Sequence, residues 1–142
     1  MVQYKNVLTT CPYCGVGCGI NLEVLDGAAG QPPRVIGSLP AKDHPVSEGG
    51  LCIKGWNAHA FIHHEDRLQT PLIREGGGFR EATWDEALSL VTKKLGATRA
   101  DHGPDAIGVL ASAKCTNEEN YLLQKFARAV IGTNNVDHCA RL

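Results

Sequence analysis

Three cysteines fall within eight residues in Cys11-Pro12-Tyr13-Cys14-Gly15-Val16-Gly17-Cys18, a C-x-x-C-x-x-x-C spacing that gathers sulfurs from one tight loop around a common centre. The interleaved Gly15 and Gly17 permit backbone conformations closed to residues with a β-carbon. A fourth sulfur is available from Cys52, in Gly49-Gly50-Leu51-Cys52-Ile53-Lys54-Gly55, far enough along the chain to return from a separate loop. Four thiolates, one of them distant in sequence, are the usual complement of an iron–sulfur cluster, and electron transfer is the chemistry this pattern points to.

Three other readings of the same cysteines carry less. A zinc site of four cysteines generally pairs two C-x-x-C knuckles, whereas Cys52 stands alone. Cys-Pro-Tyr-Cys shares its outline with a thioredoxin-type redox pair, but the glycines and third cysteine that follow argue against the helix such a pair opens. A structural disulfide is the default for an even number of cysteines; ten residues ahead of Cys11 leave no room for a secretory leader, and reduced thiols in the cytoplasm are expected.

The elements that must hold these sulfurs are short. Tyr4 to Thr9 reads as a strand entering the loop, and Ile20 to Leu25 alternates apolar and polar side chains as a half-buried strand should. Turn formers from Asp26 to Pro33 (Asp26-Gly27-Ala28-Ala29-Gly30-Gln31-Pro32-Pro33) precede a returning strand at Arg34 to Gly37, which makes a small hairpin beside the cysteine loop. Pro40 to Gly50 has no periodicity and reads as the loop that delivers Cys52; His44 within it is expected to be a solvated histidine. Gly55 to His64 is predicted as a helix, with Trp56, Ala60 and Phe61 on one face. His59 and His63 lie one helical turn apart on it, next to His64, but without the intervening glutamate of a His-Glu-x-x-His zinc helix they read as surface residues.

The second half reads differently. Leu68 to Arg74 and Gly78 to Glu81 flank Glu75-Gly76-Gly77 as two extended segments around a turn. Thr83 and Glu86 make a capping box, after which Ala87, Leu88, Leu90, Val91 and Leu95 give an apolar stripe at helical spacing. That helix is predicted to end near His102, before Gly103-Pro104. Ala106 to Ala111 is a short apolar run expected as a buried parallel strand. Thr116 and Glu119 form a second capping box for a helix through Val130, and Asn134 to Asp137 is the next expected strand, which would complete a strand–helix–strand unit. The fold class expected is α+β to α/β: a small β-rich subdomain over residues 1–66, then the start of a parallel-sheet α/β domain over 67–142.

Composition adds limits. The chain is 43% hydrophobic and 20% charged with a formal net charge of -1, so no basic excess recommends nucleic acid or an anionic membrane. No apolar run approaches the roughly 18 residues of a membrane span. Nor does a G-x-G-x-x-G fingerprint open a helix; the glycines at 15, 17 and 19 belong to the cysteine loop.

Cys-Pro-Tyr-Cys-Gly-Val-Gly-Cys, Gly-Leu-Cys-Ile-Lys-Gly, Thr-Trp-Asp-Glu-Ala-Leu, Asn-Glu-Glu-Asn-Tyr, Gln-Lys-Phe-Ala-Arg-Ala and Gly-Thr-Asn-Asn-Val-Asp-His-Cys-Ala-Arg-Leu together resemble the start of the catalytic subunit of molybdenum- or tungsten-dependent formate dehydrogenases. These belong to the molybdopterin oxidoreductases, related to dimethyl sulfoxide reductase. The resemblance runs from about Thr9 to Leu142; its first motif is shared with assimilatory nitrate reductases, and the Asn-Asn-Val-Asp-His-Cys-Ala-Arg stretch tilts it toward formate.

The resemblance implies a [4Fe–4S] cluster on Cys11, Cys14, Cys18 and Cys52, and a bis-molybdopterin guanine dinucleotide carrying molybdenum or tungsten. It implies that Lys54 lies between cluster and pterin and assists electron passage to partner subunits or carriers. Members of the family are several times longer, and a cysteine or selenocysteine that binds the metal is expected directly after Leu142. The chain is therefore expected to be a fragment, terminated at a selenocysteine codon read as a stop, which by itself holds the cluster alone. Asn117, Glu118, Asn120, Asn134 and Asn135 are cavity-lining positions by the same resemblance, although capping and turn roles explain them equally well. Cys115 precedes a helix N-terminus whose dipole would favour a reactive thiolate, but it reads rather as a packed small hydrophobe, and Cys139 as near the metal ligand in sequence only. A related oxyanion reductase, or a stand-alone iron–sulfur electron-transfer module without pterin, remains the alternative.

Overall fold

A computed structural model describes residues 3–27 and 30–139. The alternating segments near the start form three antiparallel strands, β1 (Tyr4–Thr10), β2 (Gly19–Leu25) and β3 (Arg34–Pro40), in the order β1-β2-β3. The register pairs Tyr4 with Leu25 and Thr10 with Gly19. The whole cysteine motif is therefore the loop of the β1–β2 hairpin. A bond from the Cys11 amide to the Cys18 carbonyl, 2.8 Å, closes its neck. Strand β1 turns the expected β2–β3 hairpin into a sheet, and β3 runs to Pro40 rather than stopping at Gly37, with a register irregularity between Glu23 and Val24. Of the turn before β3, Ala28 and Ala29 lie outside the described residues.

The helix expected over Gly55 to His64 is largely absent. Only α1 (Ile53–Trp56) is helical. The side-chain Nδ2 of Asn57 donates to the Ile53 carbonyl at 2.8 Å, the acceptor that its own amide would need to continue the helix, and that amide falls back to Lys54. Beyond it the chain advances by i to i+3 bonds, Ala58 to Gly55, Ala60 to Asn57 and Ile62 to His59.

In the second half, β4 (Leu72–Glu75) and β5 (Gly78–Glu81) form a hairpin across Gly76-Gly77, whose φ values of 57° and 87° are the pair a tight two-residue hairpin turn demands. Helix α2 (Trp84–His102) is capped by Thr83, whose side chain accepts from the Glu86 amide at 3.2 Å, and ends at Gly103. The reciprocal half of that box is not made, because the Glu86 carboxylate binds Arg80 instead. A 3-10 turn, Pro104–Ala106, displaces the next strand: β6 is Val109–Ser112 rather than Ala106 to Ala111, and Leu110 is 84% exposed rather than buried.

The second capping box is complete. The Thr116 amide donates to Glu119 Oε2 at 2.7 Å and the Glu119 amide to Thr116 Oγ1 at 3.3 Å. It opens α3 (Asn117–Lys125), which continues as a π-helical segment, Phe126–Ile131, before Gly132. Strand β7 (Val136–Cys139) then pairs with β6 across this helical crossover, the connection that parallel strands require. The architecture is a small antiparallel sheet followed by a βαβ unit, of the mixed α+β to α/β class. The apolar stripe of α2 is not covered: Leu88, Val91 and Leu95 line, with Phe126, Val130 and Ile131, an open groove of about 400 Å³. No helix among the described residues is long and apolar enough to cross a membrane.

Two compact units result. One extends to Arg67 and takes in Ser112–Asn120 and Cys139; the other comprises Leu68–Ala111 and Tyr121–His138. In the second unit Arg80 bridges Glu75, at 2.5 Å, and Glu86. The Arg80 guanidinium, by its hydrogen bond and then its charge, holds the Glu86 carboxyl below its ordinary value. A depressed carboxyl contributes stability that is fully present above its unfolded value and is lost as pH falls through the lower folded one. Acid titration of unfolding should therefore show a small fall in stability on the acid side of the ordinary glutamate range. Arg80→Ala should flatten that slope, and salt should weaken it, since the pair is exposed.

Candidate metal centre

The first unit places the cysteine loop on a small core. Cys11, Ile20 and Ala58 are buried, with Tyr13, Cys18, Leu22 and Leu51 packed against them. The Tyr13 ring meets Phe61 edge to face, centroids 6.2 Å apart, which joins the loop to the turns after α1. The two loop glycines are there for different reasons. Gly17 sits at φ 70°, where a β-carbon is disfavoured. Gly15 instead admits a neighbour: a β-carbon there would come within 2.5 Å of the Asn117 Oδ1, and Asn117 Nδ2 donates to the Gly15 carbonyl at 2.7 Å.

Cys52 arrives through a separate set of contacts. Gly55 is buried, a β-carbon there would come within 2.2 Å of the Leu51 side chain, and the Ser38 hydroxyl donates to its carbonyl at 2.8 Å, tying α1 to β3. Upstream, the His44 ring packs on Gly19, where a β-carbon would come within 2.4 Å, and its Nδ1 accepts from the Val46 amide. His44 is thus a half-buried packing residue rather than a solvated one. It helps seat the loop that leads to Cys52.

Burial pushes the Cys18 thiol up first, and the charges of Cys11, Cys14 and Cys52 push it further in the same direction. Cys52 goes the other way. The backbone N–H groups of Gly55 and Lys54 face its sulfur and hold its thiol below the ordinary value, aided by the Lys54 charge, although no capping bond of conventional geometry forms. Among the described residues none of the six cysteines is in a disulfide. Nor is any group of three or more His, Cys, Asp or Glu side chains gathered tightly enough to share one metal ion. Thiols such as those of Cys11, Cys14, Cys18 and Cys52 are the donor type that a [4Fe–4S] cluster takes, one at each iron.

The remaining polar and sulfur-bearing residues engage in local contacts. His63 Nε2 accepts from the Val35 amide at 2.9 Å and His64 Nδ1 from the Asp66 amide at 3.2 Å, while His59 Nδ1 is buried without a protein partner. Asn120 bonds Ser112 and Thr116, Asn134 accepts from Arg128, and Asn135 donates to the Asp105 carbonyl. Glu118 is exposed. Cys115 is half-buried behind the Ser112 turn, and Cys139 Sγ lies 3.4 Å from Ser112 Oγ. The last three residues of the Asp-His-Cys-Ala-Arg-Leu stretch, Ala140 to Leu142, lie outside the described residues.

Two family models match successive parts of the chain. Residues 4–64 match the molybdopterin oxidoreductase Fe4S4 domain and residues 67–142 match molybdopterin oxidoreductase. The chain belongs to the molybdopterin oxidoreductase family, whose cofactors are a [4Fe–4S] cluster and a molybdopterin. It is 55% identical over 134 residues to the F420-dependent formate dehydrogenase 1 subunit alpha of Methanococcus maripaludis, covering 94% of this chain and 18% of that one. The F420-dependent formate dehydrogenase subunit alpha of Methanocaldococcus jannaschii is 52% identical, with 99% of this chain and 19% of that one covered. The chain thus spans about a fifth of the length of these relatives. Among solved structures, acetylene hydratase from Pelobacter acetylenicus shares the fold at a TM-score of 0.64 and 24% identity, over 92% of this chain and 18% of that one.

Proposed function

We propose that this chain is the N-terminal part of a formate dehydrogenase catalytic subunit, oxidising formate to carbon dioxide, with Cys11, Cys14, Cys18 and Cys52 as the ligands of its [4Fe–4S] cluster. The observation that carries the reading is that the stretch holding all four cysteines matches the molybdopterin oxidoreductase Fe4S4 domain, in a chain more than half identical to formate dehydrogenase alpha subunits. The bis-pterin molybdenum or tungsten centre supplies the two-electron oxidation, in which formate loses two electrons and a proton. This chain's residues hold the cluster, shield Cys11 and Cys18 from water, and hand electrons on singly. Lys54, two residues past Cys52, sets a positive charge beside the cluster, which favours the reduced state and eases entry of each electron. The electrons leave to partner subunits or soluble carriers in the cytoplasm. Residues 1–66 serve the cluster and residues 67–142 begin the pterin-binding domain, so the 142 residues alone hold the cluster and do not turn over formate.

The test is metal and pterin analysis of the anaerobically purified product of the complete gene, together with formate-dependent dye reduction. The expected result is about four irons per chain, molybdenum or tungsten with pterin, and dye reduced only when formate is added. Iron and sulfide without pterin would instead identify an electron-carrier module. A full pterin complement with nitrate but not formate turnover would identify an oxyanion reductase.

A further inference from the structure

We infer that Asn117 is a positioning residue for the cysteine loop, acting through the Gly15 carbonyl; this rests on the cluster reading above. Gly15 lies between Cys14 and Cys18, on the stretch that must bring both sulfurs to one centre, and its carbonyl accepts the Asn117 Nδ2 at 2.7 Å. The two residues are 102 positions apart, so the contact is a tertiary strut rather than a turn feature. Asn117 is itself held at its base. It is the first residue of α3, directly after Thr116, and the reciprocal Thr116–Glu119 bonds fix the backbone from which its side chain projects.

The fit is close from both sides. Gly15 has no positive φ to account for it, and the atom a β-carbon would strike first is the Oδ1 of Asn117, at 2.5 Å. Glycine at 15 and asparagine at 117 therefore explain each other. Glycine leaves the space, and the amide fills it with a donor aimed at the loop. A loop pinned in the middle keeps the Cys14 and Cys18 sulfurs in place when an electron enters or an iron is challenged by a chelator, the supporting role that outer-shell hydrogen bonds play at metal sites.

The experiment uses the complete protein, purified anaerobically, and reads the cluster rather than turnover. Asn117→Asp keeps the shape and removes the donor, Asn117→Ala removes both, and Gly15→Ala displaces the amide from the other side. Each should lose iron to a chelator roughly tenfold faster than the parent and broaden the paramagnetic resonance signal of the reduced cluster, with the thermal unfolding midpoint of the protein little changed. Gly15→Ala combined with Asn117→Ala should be no worse than Asn117→Ala alone, because the side chain that the new methyl strikes is gone. Parental iron-loss rates and signal shape in Asn117→Asp and Gly15→Ala, or strictly additive effects in the double variant, would overturn the inference. If the parent protein holds no cluster, it is the functional reading that fails, and the iron content of the parent tells the two failures apart.

Discussion

Cys18→Ser should yield a protein without its brown, dithionite-bleachable absorption, its iron reduced to a trace of the parental content when purified under identical anaerobic conditions. Of the four proposed ligands, Cys18 is the one for which this loss is expected to be most complete. It is the thiol that burial and all three neighbouring sulfurs act upon, and its carbonyl closes the loop neck with the Cys11 amide. A serine hydroxyl keeps the backbone bond and nearly the shape, so loss of iron would report ligation rather than misfolding. Outer-shell changes at metal sites cost about 10- to 100-fold in affinity, and removal of a ligand should exceed that range. Cys115→Ser and Cys139→Ser are the internal controls. Neither thiol is among the charges that act on Cys18, and both variants should retain full iron. Equal iron loss from the controls, or retained iron in Cys18→Ser, would remove the assignment of the four sulfurs.

What sequence made legible here was whatever is decided by a few neighbouring residues. The Thr116–Glu119 box, the Gly76-Gly77 turn and the stop of α2 before Gly103-Pro104 are each fixed by side chains within four positions, and all three form as their spacing suggests. Failures came where a competing partner lay just outside the pattern. Glu86 left its capping box for Arg80, and the Asn57 amide group took the Ile53 carbonyl and ended a helix that the apolar spacing of Trp56, Ala60 and Phe61 would have continued. The π-helical segment at Phe126–Ile131 was not visible at all, because one extra residue in a turn barely alters the order of apolar side chains. In the site, the cysteine loop could be recognised from spacing, but the amide that supports it could not. Asn117 looks like an ordinary helix-start residue until the fold sets it against Gly15.

Lys54→Ala should leave iron content unchanged and lower the midpoint potential of the cluster, while formate-dependent dye reduction slows by about an order of magnitude. Lys54 lies in α1 with its amide, after that of Gly55, facing the Cys52 sulfur, and its charge adds to the lowering of that thiol from its ordinary value. A charge that stabilises one thiolate also stabilises the extra negative charge that a reduced cluster carries. Since a tenfold change in the ratio of reduced to oxidised cluster corresponds to about 59 mV for one electron, a fall of roughly that size is the upper expectation; Lys54 is exposed and water screens part of its field. Lys54→Arg separates charge from shape. It restores a cation on a bulkier, planar head, so the potential should return toward the parental value whether or not the rate does. Recovery of both would make Lys54 an electrostatic element alone, whereas recovery of potential without rate would mean that electron passage depends on the shape and reach of the lysine. An unchanged potential in Lys54→Ala, with iron intact, would leave Lys54 as a solvated surface charge and detach it from the electron route.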